Sequence, residues 1–379
     1  MSTVGARRVE IASPSVGQDE WEAIKAPLEA GWLTTGPMVA DFERAFSRRH
    51  GVRRSVATTS CTTGLHLALA AVGIGPGDEV IVPAFTWVAT ANVVLYCGAK
   101  PVFVDVDPMS YNLDAAGVRA AVTSRTRAVI PVHLFGLCAD IDAIRSACGD
   151  VLVIEDAACA AGASYLGRPA GSLGAVGVFS FHPRKVITTG EGGMLTTDND
   201  LLADRATCLR NHGAAVSEEM RHAGSAPYLM PDFDEVGFNY RMTDMQAAVG
   251  LVQLAKLDAF IEERQRWAKW YASALGDLDW LQLPKVPDGY CHAWQSYVAV
   301  IRDGRDRQRV MEALHQAGIA SRPGTHVPPE LGLYRDRVGL RAGTFPHASM
   351  LGRQSIALPL HNRITESDLE AVSEVLHRL

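Results

Sequence analysis

The chain has 379 residues, 47% hydrophobic and 21% charged, which allows one large domain and a smaller one around an ordinary core. A net charge of −6 and a pI near 6.1 leave no basic footprint for nucleic acid or an anionic membrane surface. No apolar run reaches the length of a membrane span and the N-terminal MSTVGARRVEIASP lacks the apolar stretch of a signal peptide, so the expected location is the cytoplasm.

Residues 18–30, QDEWEAIKAPLEA, have helical spacing and stop at Gly31. GWLTTGP, Gly31 to Pro37, follows as a loop, then an amphipathic helix over roughly 38–50 and the strand RRSVATTS. SCTTGLHLAL, Ser60 to Leu69, reads as a turn of small residues opening a helix. Strand and helix then alternate: DEVIVPAF as strand, TWVATANVVLYCG as helix and KPVFVDVD as strand. RAVIPVHLFG, VLVIEDAA, GAVGVFSF and GGMLTTD add four strands, with helical spacing near 139–147 and 200–211. Short continuous apolar runs separated by helices predict a mostly parallel sheet buried on both faces. Residues 241–278 read as helix with a break near Ala255, leading into a C-terminal region of about 280–379. There, WQSYVAVI and SIALPL read as strands and DRQRVMEALHQAG as a helix, and Thr365 with Asp368 opens a closing helix as a capping-box pair. The expected domains are 1–255 and 256–379.

The seven cysteines, at 61, 97, 138, 148, 159, 208 and 291, are odd in number and form no CxxC pair. Neither a disulfide framework nor a zinc ribbon is suggested, and the twelve histidines show no metal-ligand spacing. No metal is expected.

Chemistry concentrates in three places. In SFHPRKVITTGEGG, Ser180 to Gly193, a single lysine, Lys185, stands between an apolar strand and a glycine-rich turn. A deprotonated lysine amine attacks an aldehyde, and burial or a cationic neighbour favours that form. Asp156 ends the otherwise apolar VLVIED, where a buried carboxylate needs a positive partner. The start of the Ser60 helix presents free N–H groups and the hydroxyls of Thr62 and Thr63 to an anion, and Ser180 adds a hydroxyl from a strand end. Each has a plainer reading: a surface lysine in a turn, a helix cap at Asp156, ordinary N-capping at Ser60 or Thr62. Trp87, in PAFTWVAT, fits a stacking aromatic or a core side chain equally. Taken together, an amine, an acid for a ring cation and a phosphate site are the contacts that pyridoxal phosphate requires.

The segments GWLTTGP, PAFTWVATANV, GAKPVFVDVD, VIEDAA, SFHPRKVITTGEGG and VGFNYRMTDMQAAVGLVQL resemble the DegT/DnrJ/EryC1/StrS aminotransferases, the sugar aminotransferases among fold-type I pyridoxal phosphate enzymes. The resemblance runs from about residue 8 to 379 and is strongest from 31 to 255. It implies an α/β fold with a seven-stranded, mostly parallel sheet between helices and a smaller C-terminal α/β domain. It makes Lys185 the Schiff-base lysine, Asp156 the partner of the pyridine nitrogen and Trp87 the stacking aromatic. Thr62, Thr63 and Ser180 become phosphate contacts, and Asn239 reaches the phosphate of a neighbouring subunit in a homodimer with shared sites. Without the resemblance, Asn239 reads as a cap before a helix starting near Thr243. Trp32, Thr34, Thr35, His182, Arg241 and His326 are the candidates for the substrate side. One departure stands out: where many relatives carry glutamine or histidine after EDAA, this chain has Cys159, and a thiol is a weak hydrogen-bond partner.

The implied reaction passes an amino group from glutamate or glutamine to the cofactor, leaving it as pyridoxamine phosphate, and then to a keto sugar, most simply a nucleotide-linked one, in amino-sugar or antibiotic biosynthesis. Lys185 moves the proton. A dehydratase using the amine form of the cofactor would carry histidine in place of the lysine. A cyclitol ketone or another natural-product carbonyl stays open as acceptor, and a non-catalytic cofactor sensor predicts a decayed site that this sequence does not show. Nucleic acid and membrane are not expected partners.

Overall fold

The computed structural model describes residues 8–214, 230, 232–233, 235–338 and 343–379; residues 1–7 of the N-terminal stretch read above lie outside them. Seven strands form the main sheet: β1 (Arg54–Thr58), β2 (Glu79–Pro83), β3 (Lys100–Val104), β4 (Thr126–Val129), β5 (Leu152–Asp156), β8 (Val176–Ser180) and β9 (Gly193–Thr197). Between β5 and β8 the short strands β6 (Ser164–Tyr165) and β7 (Arg168–Pro169) form a side hairpin. The main sheet has the order β1-β9-β8-β5-β4-β2-β3. The pairs β2/β3, β2/β4, β4/β5 and β5/β8 are parallel, whereas β9 runs antiparallel to both β8 and β1. Reversal at β9 lets β1 point the same way as the other five, so six strands end at one edge.

The continuous apolar runs are explained by burial on both sides. Side chains alternate across a strand. Val80 and Val82 enter one core cluster and Ile81 the other; Val178 and Phe179 divide likewise. The helices Cys61–Ala71, Ala89–Tyr96 and Asp200–Arg210 cover the first face. Pro37–His50, Ile141–Cys148 and Asp244–Ala255 cover the second.

The boundaries expected from sequence hold closely at Gln18–Ala30, where Gly31 adopts φ +70° and closes the helix, and at Glu366–His377, where Thr365 and Asp368 form the capping box. The long helix breaks at Lys256, which ends Asp244–Ala255 and precedes Leu257–Ala274. RAVIPVHLFG is corrected: its strand stops at Val129, and the chain turns through Leu134–Gly136 with Phe135 at φ +59°. TWVATANVVLYCG becomes helical only at Ala89. Asn239 caps no helix; it bridges Asn211, and Thr243 is the cap.

The C-terminal region builds an antiparallel sheet of β10 (Leu281–Gln282), β12 (Tyr297–Ile301), β14 (Ser355–Leu358) and β13 (Arg322–Pro323), in that order. Its core gathers Trp267, Tyr271, Leu314, Leu369 and Val372. This region reaches back twice, once to the side hairpin and once to the turn after β4. β11 (Tyr290–Cys291) pairs with β6. The following residues clasp the turn after β4: Ala293 N donates to the Gly136 carbonyl at 2.9 Å and Ser296 N to that of Phe135 at 3.3 Å. Both sides of this clasp hold a bulky residue at positive φ, Phe135 and Trp294 (φ +50°), and a Cβ on Gly136 would lie 2.9 Å from Trp294 N. Such geometry persists only where the surroundings dictate it.

Two buried histidines carry a pH dependence. His50 stacks on Phe46 at 4.0 Å and bonds the Phe46 carbonyl; His292 stacks on Trp294 at 3.9 Å and accepts from its N–H. Burial pushes both imidazoles down to about 3. The unfolded chain takes these protons near 6.5. Between those values the unfolded state holds more protons, so stability falls as pH falls, by about 1.4 kcal/mol per pH unit for each ring. His50→Asn is expected to flatten that slope in urea unfolding between pH 7 and 5; an unaltered slope would acquit His50.

Candidate active site

The carboxyl edge of the sheet opens into a cavity of about 550 Å³, lined by residues at or after the ends of β1, β2, β4, β5 and β8. Lys185 and Asp156 both line it. β5 delivers Asp156, buried, whose Oδ2 accepts from Thr90 Oγ1 at 2.8 Å and Oδ1 from Ala158 N at 3.2 Å. Burial lifts this carboxyl above the usual range, opposed by those two bonds and by the charge of Lys185. The carboxylate is held in place, but among the described residues no ion pair matches its charge. Its neighbour Glu155 faces away, as alternation requires, and accepts from His133 Nε2 and the N–H groups of Gly171, Leu173 and Gly174. That fully bonded acid is structural.

β8 delivers Ser180, and a turn closed by Lys185 N donating to the His182 carbonyl at 2.8 Å brings the lysine back over the edge. Lys185 Nζ donates to Cys159 Sγ at 3.2 Å. Burial works against the ammonium, but Cys159, Cys61 and Asp156 outweigh it, and the free amine is held above the ordinary lysine range.

β1 leads into the helix Cys61–Ala71, capped by Ser60, whose Oγ accepts from Thr63 N at 3.1 Å. Cys61 and Thr62 stand in the first turn, where N–H groups have no intrahelical acceptor, and both line the cavity. The approach is tight: a Cβ on Gly193 would lie 2.5 Å from the Ser60 backbone. Thr63 stands apart from the cavity in this chain. Its hydroxyl is engaged in the capping box with Ser60 and Thr59, and it is not among the cavity-lining residues.

The loop after β2 delivers Trp87, 58% exposed, with His326 packed edge-on against it at 5.1 Å. A bridge between Thr86 and His326 fixes that pair, so His326, reached from the C-terminal sheet, stands in the cavity wall. His182 also lines it; burial lowers its imidazole, whose Nδ1 accepts from Arg184 N.

Other expected residues lie elsewhere in this chain. Trp32 donates to the Thr35 carbonyl, the Thr34 carbonyl accepts from Asp244 N, and Thr35 Oγ1 donates to the Met242 carbonyl. None of the three lines the Lys185 cavity. Thr35 and Arg241 line a separate cavity of about 910 Å³, and Asn239 is exposed nearby in sequence. Sequence reasoning missed Thr90, Arg184, Gln295 and Arg322, all brought to the site by the fold. Thr90 had a signal, a hydroxyl three residues past Trp87 at a strand-to-helix turn. Gln295 and Arg322 had none, since only the clasp and β13 bring them there. Among the described residues, no cluster of three or more His, Cys, Asp or Glu could hold a metal, and no helix is long and apolar enough to cross a membrane.

Comparison with known proteins agrees with this geometry. Residues 14–377 match the DegT/DnrJ/EryC1/StrS aminotransferase family. A GDP-perosamine synthase from Caulobacter vibrioides is 40% identical over 382 residues, covering 98% of each chain. Among solved structures, the aminotransferase TlmJ from Streptoalloteichus hindustanus is 32% identical with a TM-score of 0.90, again over 98% of each chain. A sugar aminotransferase, Spr1654 from Streptococcus pneumoniae, is 27% identical; its PMP form superposes with a TM-score of 0.91 over 98% of this chain and 99% of that one.

Proposed function

The chain belongs to the DegT/DnrJ/EryC1/StrS aminotransferase family, and we propose that it moves an amino group from glutamate or glutamine to a nucleotide-linked keto sugar. It is a pyridoxal phosphate-dependent sugar aminotransferase of fold type I. The observation that carries the reading is the pairing of Lys185 and Asp156 in one cavity whose wall includes a helix start.

The residues present fit the cofactor. Asp156 is a buried carboxylate with raised proton affinity and no ion pair, which suits a ring nitrogen that must stay protonated. The first turn at Cys61 and Thr62, with Ser180 opposite, suits a phosphate. When bound, pyridoxal phosphate supplies an aldehyde for the amine and a ring that withdraws electrons from the reacting carbon. The protein does the rest. Asp156 would hold the ring cation, and Thr90 and Ala158 N fix that carboxylate. Lys185 Nζ would hold the aldehyde and, as a free amine, would be the base that moves a proton at the donor's α-carbon. Cys159 Sγ receives the Nζ hydrogen bond and so fixes where that base waits. Trp87 and His326 shield one side from water.

Cys159 also keeps a second acceptor class in play, a cyclitol ketone or another natural-product carbonyl, because a thiol withholds the polar contact that glutamine or histidine would offer. The proposal extends to a cytoplasmic homodimer in which Asn239, with Trp32, Thr34, Thr35 and Arg241, completes the partner's site, and to a domain division at 255/256. What supports the first is that Asn239 is exposed and that Arg241 Nε is buried without a partner among the described residues.

Incubation of the cofactor-loaded enzyme with glutamate alone is expected to release one 2-oxoglutarate per site. A nucleotide-linked keto sugar added next should take up the amine. No release from glutamate or glutamine would defeat the enzymatic reading and favour a sensor.

A further inference from the structure

The peptide that joins Arg184 to Lys185 is held at both of its polar ends. Its N–H, that of Lys185, donates to the His182 carbonyl at 2.8 Å. Its carbonyl, that of Arg184, accepts from Gln295 Nε2 at 2.9 Å. The rest of the turn is committed as well. Arg184 N donates to His182 Nδ1, Pro183 has no N–H, and Val186 and Ile187 are buried behind it. Among the described residues, Gln295 is the only donor that reaches the Arg184 carbonyl, and it comes from the C-terminal region.

Gln295 is itself fixed. It is 6% exposed and lies between β11 and β12, inside the clasp on the turn after β4. The residue before it, Trp294, takes φ +50°, donates its N–H to His292 Nδ1 and offers its carbonyl to Arg264 Nη1 at 3.0 Å. The residue after it, Ser296, donates its N–H to the Phe135 carbonyl and its hydroxyl to Gln295 Oε1 at 3.1 Å. The orientation of the side-chain amide follows, because a backbone carbonyl only accepts: nitrogen faces Arg184 and oxygen takes the Ser296 hydroxyl. A left-handed tryptophan is costly, and such strain gathers where geometry serves a site. Here it aims a buried amide at the backbone of the lysine turn.

We propose that Gln295 is a positioning residue for Lys185, an inference that rests on the aminotransferase reading above. A planar peptide anchored at both its N–H and its C=O keeps its orientation, so the Lys185 Cα–Cβ bond leaves it in one direction. The stem of a lysine is flexible. Fixing its root limits the space that Nζ sweeps once it lets go of Cys159 Sγ. Gln295 acts through the backbone, and the clasp is what places it.

The test uses Gln295→Met, which keeps the length and loses the donor, and Gln295→Glu, which keeps the shape and turns an acceptor toward the Arg184 carbonyl. Rates are expressed per site titrated by the visible cofactor band, so an unfolded fraction does not enter. In the half-reaction of the cofactor-loaded enzyme with glutamate, the limiting rate is expected to fall roughly 10- to 100-fold in both variants, with little change in the half-saturating concentration. Relative to ordinary glutamate, α-deuterated glutamate should be slowed at least as much in the variants as in wild type, since proton transfer is the step that a misplaced Lys185 impairs. Hydrogen exchange of the loaded protein without donor should be about 5-fold faster or more at the Lys185 amide of the variants, which reads the loosened peptide apart from catalysis. Undiminished limiting rates, or unaltered exchange at Lys185, would overturn the assignment. So would a raised half-saturating concentration at a preserved limiting rate, which would make Gln295 a substrate contact, and so would an isotope effect that vanishes in the variants. Silence of the wild type toward glutamate and glutamine would sink the aminotransferase reading instead. Exchange at Lys185 would still report the backbone tie, which separates the two failures.

Discussion

Lys185→Ala is expected to abolish turnover, by about 10⁴-fold or more, while leaving a folded protein. The side chain supplies two things that nothing else in the cavity can. It is the only lysine among the lining residues, so it alone offers a nucleophilic amine to an aldehyde. In the proposed reaction it is also the base beside the reacting carbon, a role worth several powers of ten in acid–base catalysis. Cys159, at 3.2 Å from Nζ, cannot substitute, because attack by sulfur leads to no exchange of nitrogen. Lys185→Arg should fail equally: its guanidinium keeps the charge but stays protonated. Borohydride reduction followed by peptide mapping should place the cofactor's mass on the Lys185 peptide of the wild type and on no peptide of the alanine variant. Retention of turnover, or cofactor mass on a different lysine, would remove Lys185 from the centre of the site. The fold should survive because the side chain is half-buried and, among the described residues, its amine hydrogen-bonds only to Cys159.

The parts of this site that could be read from sequence share a physical property: their function and their local structure impose the same pattern. A strand buried on both faces must be apolar throughout, so the acid that ends VLVIED stood out as Asp156. A lysine between a buried strand and a glycine turn stood out for the same reason. The Ser60 turn is ambiguous in sequence, because an N-terminal turn rich in hydroxyls serves both its own backbone and a bound anion. Thr63 Oγ1 serves the backbone, and Thr62 faces the cavity. Glu155, beside Asp156, shows the opposite case: alternation turns it away from the cavity into a buried network with His133. Arg322 and Gln295 were unreadable because nothing local marks them. They reach the cavity through the clasp between Phe135 and Ser296 and through the register of β13 against β14, both tertiary events. The reversal of β9 belongs with them, since an apolar run looks alike in either direction.

Asp156→Asn should separate the cost of the site from its use. Asparagine keeps the shape: its carbonyl can accept from Ala158 N, and its amide can donate to Thr90 Oγ1, which reverses its role. Only the charge is lost. On the proposed reading that charge faces a buried ring cation in the cofactor-loaded enzyme, and removing one partner of such a pair costs about 3–5 kcal/mol, or roughly 10²–10⁴-fold in turnover or cofactor affinity. Without the cofactor the sign reverses. Burial raises the folded pKa of Asp156, so the native state binds this proton more tightly than the unfolded chain does. Its carboxylate therefore destabilises the cofactor-free protein progressively as pH rises from the unfolded value near 3.8 through the folded one. At neutral pH the Asn variant, stripped of cofactor, should melt at or above the wild-type temperature, and its midpoint should gain far less when pyridoxal phosphate is added. The two melts, with and without cofactor at one concentration, read both effects from a single preparation. A variant that gains as much as wild type from the cofactor and turns over normally would show that the acid at the end of β5 does not face the ring nitrogen. A variant that melts lower in both states would show instead that its carboxylate is a structural anchor.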